Sequence, residues 1–140
     1  MPRKQGFTLI EMLIVIIVIS ILVLIVVPRI LEAGRKAKES ALRTDLQLLR
    51  NGIVGFETDC GDFPTNLNQL MEKPASGAKG GNGIALDLGA WKGPYLKTPD
   101  GKLPLDPFTG AADWQYTPTY GDVHSSSLLS AIDGIAYSAW

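Results

Sequence analysis

Glu11 is the residue of this chain that most demands a chemical explanation. It lies one turn inside a run from Leu9 to Val27 made almost wholly of Leu, Ile, Val and Met, interrupted otherwise only by Ser20. A carboxylate in a hydrocarbon setting costs about 2.5–3.5 kcal/mol on insertion scales, so it needs a partner or a place near the headgroups. The run holds no Lys or Arg. A new α-amino group is the nearest cation that could serve. A cut between Gly6 and Phe7 would put an ammonium on Phe7 at the depth of Glu11. One helix could pair its own two groups only awkwardly. A neighbouring helix, shifted along a common axis, could bring its Phe7 ammonium to this carboxylate, and the charge would then set register between chains. The alternative is a Glu11 hydrated near the headgroups, and the charge argument leaves both open.

No other residue set points to catalysis. His124 is the single His and Cys60 the single Cys, too far apart in sequence for a local motif. One cysteine makes neither an intrachain disulfide nor a C-x-x-C site. No G-x-S-x-G, H-E-x-x-H or phosphate loop occurs. Gly80-Gly81-Asn82-Gly83 is not followed by Lys-Ser/Thr and reads as a linker. Asp59 and Asp62 stand in turn sequence and read as helix-ending residues. The expectation is a protein that is not an enzyme. A formal net charge of −1, with no basic and aromatic face beyond the first 50 residues, argues against nucleic acid as a partner.

The elements that must position Glu11 start with the segment itself. A cleaved secretory signal would have a shorter apolar stretch and a small-residue cleavage site after it, and neither is present. Phe7 to Val27 is long enough, at roughly 30 Å as a helix, to cross a hydrocarbon core. Arg3 and Lys4 favour a cytoplasmic N-terminus, while Arg29, Arg35 and Lys36 pull the other way. These last three open a basic run with Lys38, Arg43 and Arg50, tempered by Glu32, Glu39 and Asp45. The run reads as a solvated helix face, with lipid headgroups or a neighbouring chain as the rival contact.

Pro28 removes one helical hydrogen bond, and with Gly34 it marks a place where the helix could bend or unwind. Beyond it, Leu42, Leu46, Leu49, Ile53 and Phe56 follow spacings of four and three, which predicts one apolar stripe along a helix to about Thr58. Arg43, Gln47, Arg50 and Asn51 fall on the opposite face. The stripe needs a cover, and the rest of the chain is the candidate. The half before Leu42 must meet lipid or other chains.

Turn chemistry at Asp59-Cys60-Gly61-Asp62-Phe63-Pro64 ends that helix. Thr65 is expected to cap a short helix through Met71, with Leu67 and Leu70 inward. Residues 74–83 read as a flexible loop. Short strands are expected at Asp113–Thr117, Asp122–Ser125 and near Ile135–Tyr137, giving a small antiparallel sheet laid on the stripe. The predicted fold class is α+β: a long N-terminal helix, membrane-spanning in its first half, packed on a small C-terminal sheet with ordered loops.

Lys4-Gln5-Gly6-Phe7-Thr8-Leu9-Ile10-Glu11 resembles the class III signal of type IV prepilins and type II secretion pseudopilins, and Pro28 falls where that family carries a helix-bending proline. Gly61-Asp62-Phe63-Pro64-Thr65, Trp91-Lys92-Gly93-Pro94-Tyr95-Leu96, Asp106-Pro107 and Trp114-Gln115-Tyr116 look like the G-x-[YF]-P-T, W-x-G-P-Y-L and D-P-[WF] segments of major pseudopilins. The resemblance implies a leader of residues 1–6 cut after Gly6 by a prepilin peptidase, with methylation of the Phe7 amine. It implies a transmembrane helix over 7–27, a helix extension over 28–58 and a head over 59–140. The chain would sit single-pass in a bacterial inner membrane with its head in the periplasm, and would join a filament in the periplasm or at the cell surface.

In that filament it would be a structural subunit of a type II secretion pseudopilus. Its partners would be other copies of itself, the peptidase, an inner-membrane assembly platform, minor pseudopilins and membrane lipid. A type IV pilin for adhesion, motility or DNA uptake is the near alternative, and a membrane-anchored periplasmic binding module is the distant one. The end of the chain departs from the family's aspartate-rich S-x-G-A-D-G calcium loop. Asp122 and Asp133 are the remaining candidate calcium ligands, against a simpler role in turns, with Asp133-Gly134 as a hairpin turn.

Overall fold

The computed structural model describes Gly6 and residues 8–140; Phe7, on which the expected cleavage and pairing turn, lies outside the described residues. One long helix, α1, covers Leu9–Cys60. The chain divides into two units, Met1–Ala37 and Lys38–Trp140.

In the first unit the large apolar side chains of α1 are all exposed, from 44% at Val15 to 85% at Leu9. Ser20 does not break the helix, because its hydroxyl donates to the Ile16 carbonyl at 2.7 Å and so closes on its own backbone. Pro28 and Gly34 both lie inside α1, which is continuous through them. The ring removes one hydrogen bond, and the flanking turns keep their own.

In the second unit, Leu42, Leu46, Leu49, Ile53 and Phe56 are all at most 2% exposed. The stripe is therefore the floor of the core, as its spacing predicts. Leu67, Leu70, Leu96, Trp114, Val123 and Tyr137 cover it. Gly52 lets the cover come close: a Cβ there would touch Leu96 and Leu70 side chains at 3.4 and 3.5 Å. The helix ends where Gly61 turns to φ +85° and its N–H reaches the Glu57 carbonyl at 2.8 Å, a left-handed stop that glycine adopts freely.

The sheet has two strands. β1 (Gln115–Thr117) pairs antiparallel with β2 (Asp122–His124), with Tyr116 opposite Val123. The third strand expected near Ile135–Tyr137 does not form. Ser130 and Ala136 make a single isolated bridge, and Tyr137–Ala139 is a 3-10 turn. The backbone groups that a strand would use are taken locally: Ala131 N–H donates to the Ile135 carbonyl and Gly134 N–H to the Ala131 carbonyl. Tyr137 is pulled inward, its ring stacked on Phe108 at 4.1 Å.

Three further expectations need correction. The segment after the helix is a 3-10 turn over Leu67–Leu70, and its N-cap is Asn66 without a side-chain bond. Thr65 instead donates its N–H to Gln69 Oε1 at 2.8 Å. The glycine-rich stretch is not a linker. Lys79 bridges Ala85, and Gly81 N–H donates to the Phe63 carbonyl at 2.8 Å. A Cβ on Gly81 would lie 2.1 Å from the Pro118 carbonyl oxygen, so the glycines are there for close approach of backbones. The basic helix face is also more than solvated. Arg50 donates to the carbonyls of Val123, at 3.0 Å, and Trp140, and the Arg43 guanidinium lies 4.2 Å from the Trp140 ring centroid.

Candidate assembly site

Glu11 opens α1. The Thr8 hydroxyl accepts from Glu11 N–H at 3.3 Å, and the Glu11 carboxylate accepts from Thr8 N–H at 3.4 Å. These reciprocal bonds are a capping box, in which Thr at the cap and Glu three residues on satisfy each other's free N–H groups. Both bonds are long, so the carboxylate is held loosely. The Thr-x-x-Glu spacing is itself a helix-start signal in the sequence. Glu11 thus has a weak partner within its own chain and stays exposed, available to a stronger one.

The head is positioned by buried carboxylates more than by its sheet. Asp62 is 3% exposed. It accepts from the N–H of Phe63 and Ile84 and from both the N–H and side-chain amide of Asn82. Burial pushes its carboxyl up, but these donors together outweigh burial and hold it below the usual carboxylate value. Asp106 is fully buried, accepts from Phe108 N–H at 2.8 Å and takes the Ser125 hydroxyl. Asp59 pairs with Lys92 Nζ and with the Tyr95 hydroxyl, both at 2.9 Å. The Tyr116 hydroxyl donates to the Pro64 carbonyl at 2.7 Å. The Trp91–Leu96 segment is thus tied to α1, the Trp114–Tyr116 segment to Gly61–Thr65, and Asp106 to Ser125 just beyond β2.

Asp122 and Asp133 are each engaged close by. Asp122 lies 3.7 Å from His124 Nδ1, and Asp133 accepts from Ile135 N–H at 3.0 Å. No group of three or more His, Cys, Asp or Glu that could hold a metal ion occurs among the described residues. The turn reading of Asp133-Gly134 agrees with Gly134 at φ +85°.

An apolar helix with its large side chains exposed, carried in one chain with a loop-rich head whose core is built on later turns of the same helix, defines the class of pilin-like subunits. The comparison with known families is more particular. Residues 1–27 match the prokaryotic N-terminal methylation motif, and residues 29–131 match type II secretion system (T2SS), protein G. The chain belongs to the type II secretion system protein G family. It is similar to the type II secretion system core protein G of Vibrio cholerae, 32% identical over 124 residues, which covers 82% of this chain and 85% of that one. It is 29% identical over 134 residues to the protein of the same description from Pseudomonas aeruginosa, covering 91% and 86%. A competence protein, ComGC of Halalkalibacterium halodurans, is 37% identical over 71 residues, covering 51% of this chain. No solved structure matches the chain.

Proposed function

We propose that this chain is the structural subunit of a type II secretion pseudopilus, built into the filament after cleavage between Gly6 and Phe7 and methylation of Phe7. The observation that carries the reading is the exposed apolar surface from Leu9 to Val27 with Glu11 at its start. Alone, that surface needs lipid; in a filament it is covered by the same segment of other copies. The Phe7 ammonium of a neighbour replaces the long Thr8 bond with an ion pair, which fixes the axial register of the two helices. The prepilin peptidase, the inner-membrane platform and the minor pseudopilins are the partners this route requires. The head lies in the periplasm, with Arg3 and Lys4 holding the leader in the cytoplasm until it is cut.

Two measurements test the reading. The mature protein should begin at a methylated Phe7 by intact mass and N-terminal sequencing; a start at Met1 would refute processing. Glu11→Ala should enter the membrane normally yet leave few or no filaments by electron microscopy. Mutant filaments in normal number and length would refute the pairing.

A further inference from the structure

A calcium ion in the last loop of the head is what the resemblance to major pseudopilins implies, and Asp122 and Asp133 are the carboxylates left to hold it. Their surroundings do not fit one. Calcium gathers about six to eight oxygens around itself. Asp122 ends the β1–β2 pair opposite Thr117, and its carboxylate lies 3.7 Å from His124 Nδ1. Asp133 already accepts from Ile135 N–H at 3.0 Å. It lines a hollow of about 360 Å³ together with Arg43 and Arg50. Two guanidinium groups beside one aspartate repel a divalent cation from that hollow.

The other carboxylates bonded to this part of the chain are turned to hydrogen-bond donors. Asp113 takes the hydroxyls of Thr109 and Ser126, both at 2.6 Å. Asp106 takes Phe108 N–H on one oxygen and the Ser125 hydroxyl on the other. All four of these oxygens face a donated hydrogen, which is the arrangement for an anion held by the protein and not for a shell around a cation.

A row on α1 holds the last segment directly. Glu39, Arg43 and Arg50 are spaced by four and seven residues and so share one helix face. Glu39 Oε1 accepts from both Ile132 N–H and the Tyr137 hydroxyl, each at 2.9 Å. The Arg43 guanidinium lies against the Trp140 ring, and Arg50 donates to the Trp140 carbonyl. The segment is gripped at 132, 137 and 140. Between the grips, Ala131 N–H closes a turn on the Ile135 carbonyl at 2.7 Å. Tyr137 is fully buried and stands edge-on to Trp140 at 5.1 Å. One carboxylate that takes a backbone N–H and a side-chain hydroxyl ties two stretches of chain to a single charged centre, which is also what a structural cation does.

We infer that Glu39 does in this head the work of a metal ion: it is a positioning residue that ties Ile132 and Tyr137 to α1, and the last segment keeps its place without calcium.

The test uses the full-length chain in detergent. It is melted in a calcium chelator and in excess calcium, followed by near-ultraviolet circular dichroism. The two melting temperatures should agree within about 1 °C, because a ion bound only by the folded head raises its melting by mass action. Terbium, a calcium mimic whose emission a nearby indole sensitises, should give no emission that calcium displaces. A melting temperature that falls in chelator, or terbium emission displaced by calcium, overturns the inference.

Glu39→Ala should lower the melting temperature by about 5 °C or more, equally in chelator and in calcium. Hydrogen exchange at the Ile132 amide should quicken roughly tenfold or more. Glu39→Gln keeps an acceptor oxygen and should restore most of both losses. Tyr137→Phe deletes only the hydroxyl that Glu39 takes and should melt about 2 °C or more below the parent, which keeps the assignment testable where Glu39→Ala does not fold. Parental melting and exchange in Glu39→Ala, parental melting in Tyr137→Phe, or a loss that calcium reverses, each overturns it.

Discussion

Asp62 and Asn82 are joined twice: the Asn82 amide donates to Asp62 Oδ1 at 2.9 Å, and the Asn82 backbone N–H to Oδ2 at 3.0 Å. This clasp fastens the glycine-rich loop to the end of α1. Asp62→Ala would remove the buried acceptor of four part-buried hydrogen bonds, so a loss of about 3 kcal/mol is expected. In a head of this size that lowers the melting temperature by 10 °C or more, on the order of 4–8 °C per kcal/mol. A thermal melt of the detergent-solubilised chain, followed by near-ultraviolet circular dichroism, measures it. An unshifted melt would show that the clasp is idle.

The pH dependence follows from the same groups. Asp62 titrates below its ordinary 3.8 when folded. Its contribution is therefore complete above that value and lost as pH falls through the folded one. At the alkaline end, burial chiefly, with the Asp59 bond adding, pushes the Tyr95 hydroxyl from 10.0 to about 12. A raised value means stability present below pH 10 and lost as pH rises toward 12. Melting temperature should show a plateau between about pH 4 and pH 10 with a fall on either side. Absorbance at the tyrosinate band should show Tyr95 ionising late.

Arg50 should matter more than a surface arginine. Its guanidinium closes α1 onto both β2 and the end of the chain through the Val123 and Trp140 carbonyls. Arg50→Ala is expected to cost about 2 kcal/mol, as for bonds from a charged donor to part-buried carbonyls. Arg50→Lys should recover only part of it, because the Lys side chain places its single nitrogen differently from the Arg50 Nη2 that serves both carbonyls. Denaturation midpoints of the three chains decide the order.

Gly81 and Gly34 should respond in opposite directions to alanine. At Gly81 the new methyl meets the Pro118 backbone at 2.1 Å, and the crossing must open, with a loss of about 3 kcal/mol. At Gly34 nothing lies within 4 Å, and alanine should favour the helix by up to about 1 kcal/mol. Helical content by far-ultraviolet circular dichroism and melting of the head separate the two effects.

How much of this was readable beforehand depends on the range of the forces involved. The stripe from Leu42 to Phe56 is legible because helical periodicity is local, and the stop at Gly61 because a left-handed turn needs glycine. The third strand expected near Ile135–Tyr137 gives way to a 3-10 turn because Tyr137 answers to Phe108 and Glu39, distant in sequence. Arg50 reads as part of a solvated face and Asp62 as a helix-ending turn residue for the same reason: their partners lie far along the chain. Gly80 and Gly81 read as slack because a close crossing with Pro118 leaves no mark in local composition. The start of α1 is legible in a further sense, since Thr8 and Glu11 carry the Thr-x-x-Glu spacing of a capping box.

Cys60 gives the head one more property. It is the single cysteine of the sequence, 1% exposed, unpaired, and burial pushes its thiol up from 9.0. An enclosed, protonated thiol is a poor nucleophile and a poor target for oxidants. The head is closed instead by carboxylate clasps, a glycine crossing and the Arg50 bonds to two carbonyls, none of which changes with redox potential. Its covalent structure is therefore the same in a reducing compartment as in an oxidising one, and its folding needs no disulfide catalyst on either side of a membrane.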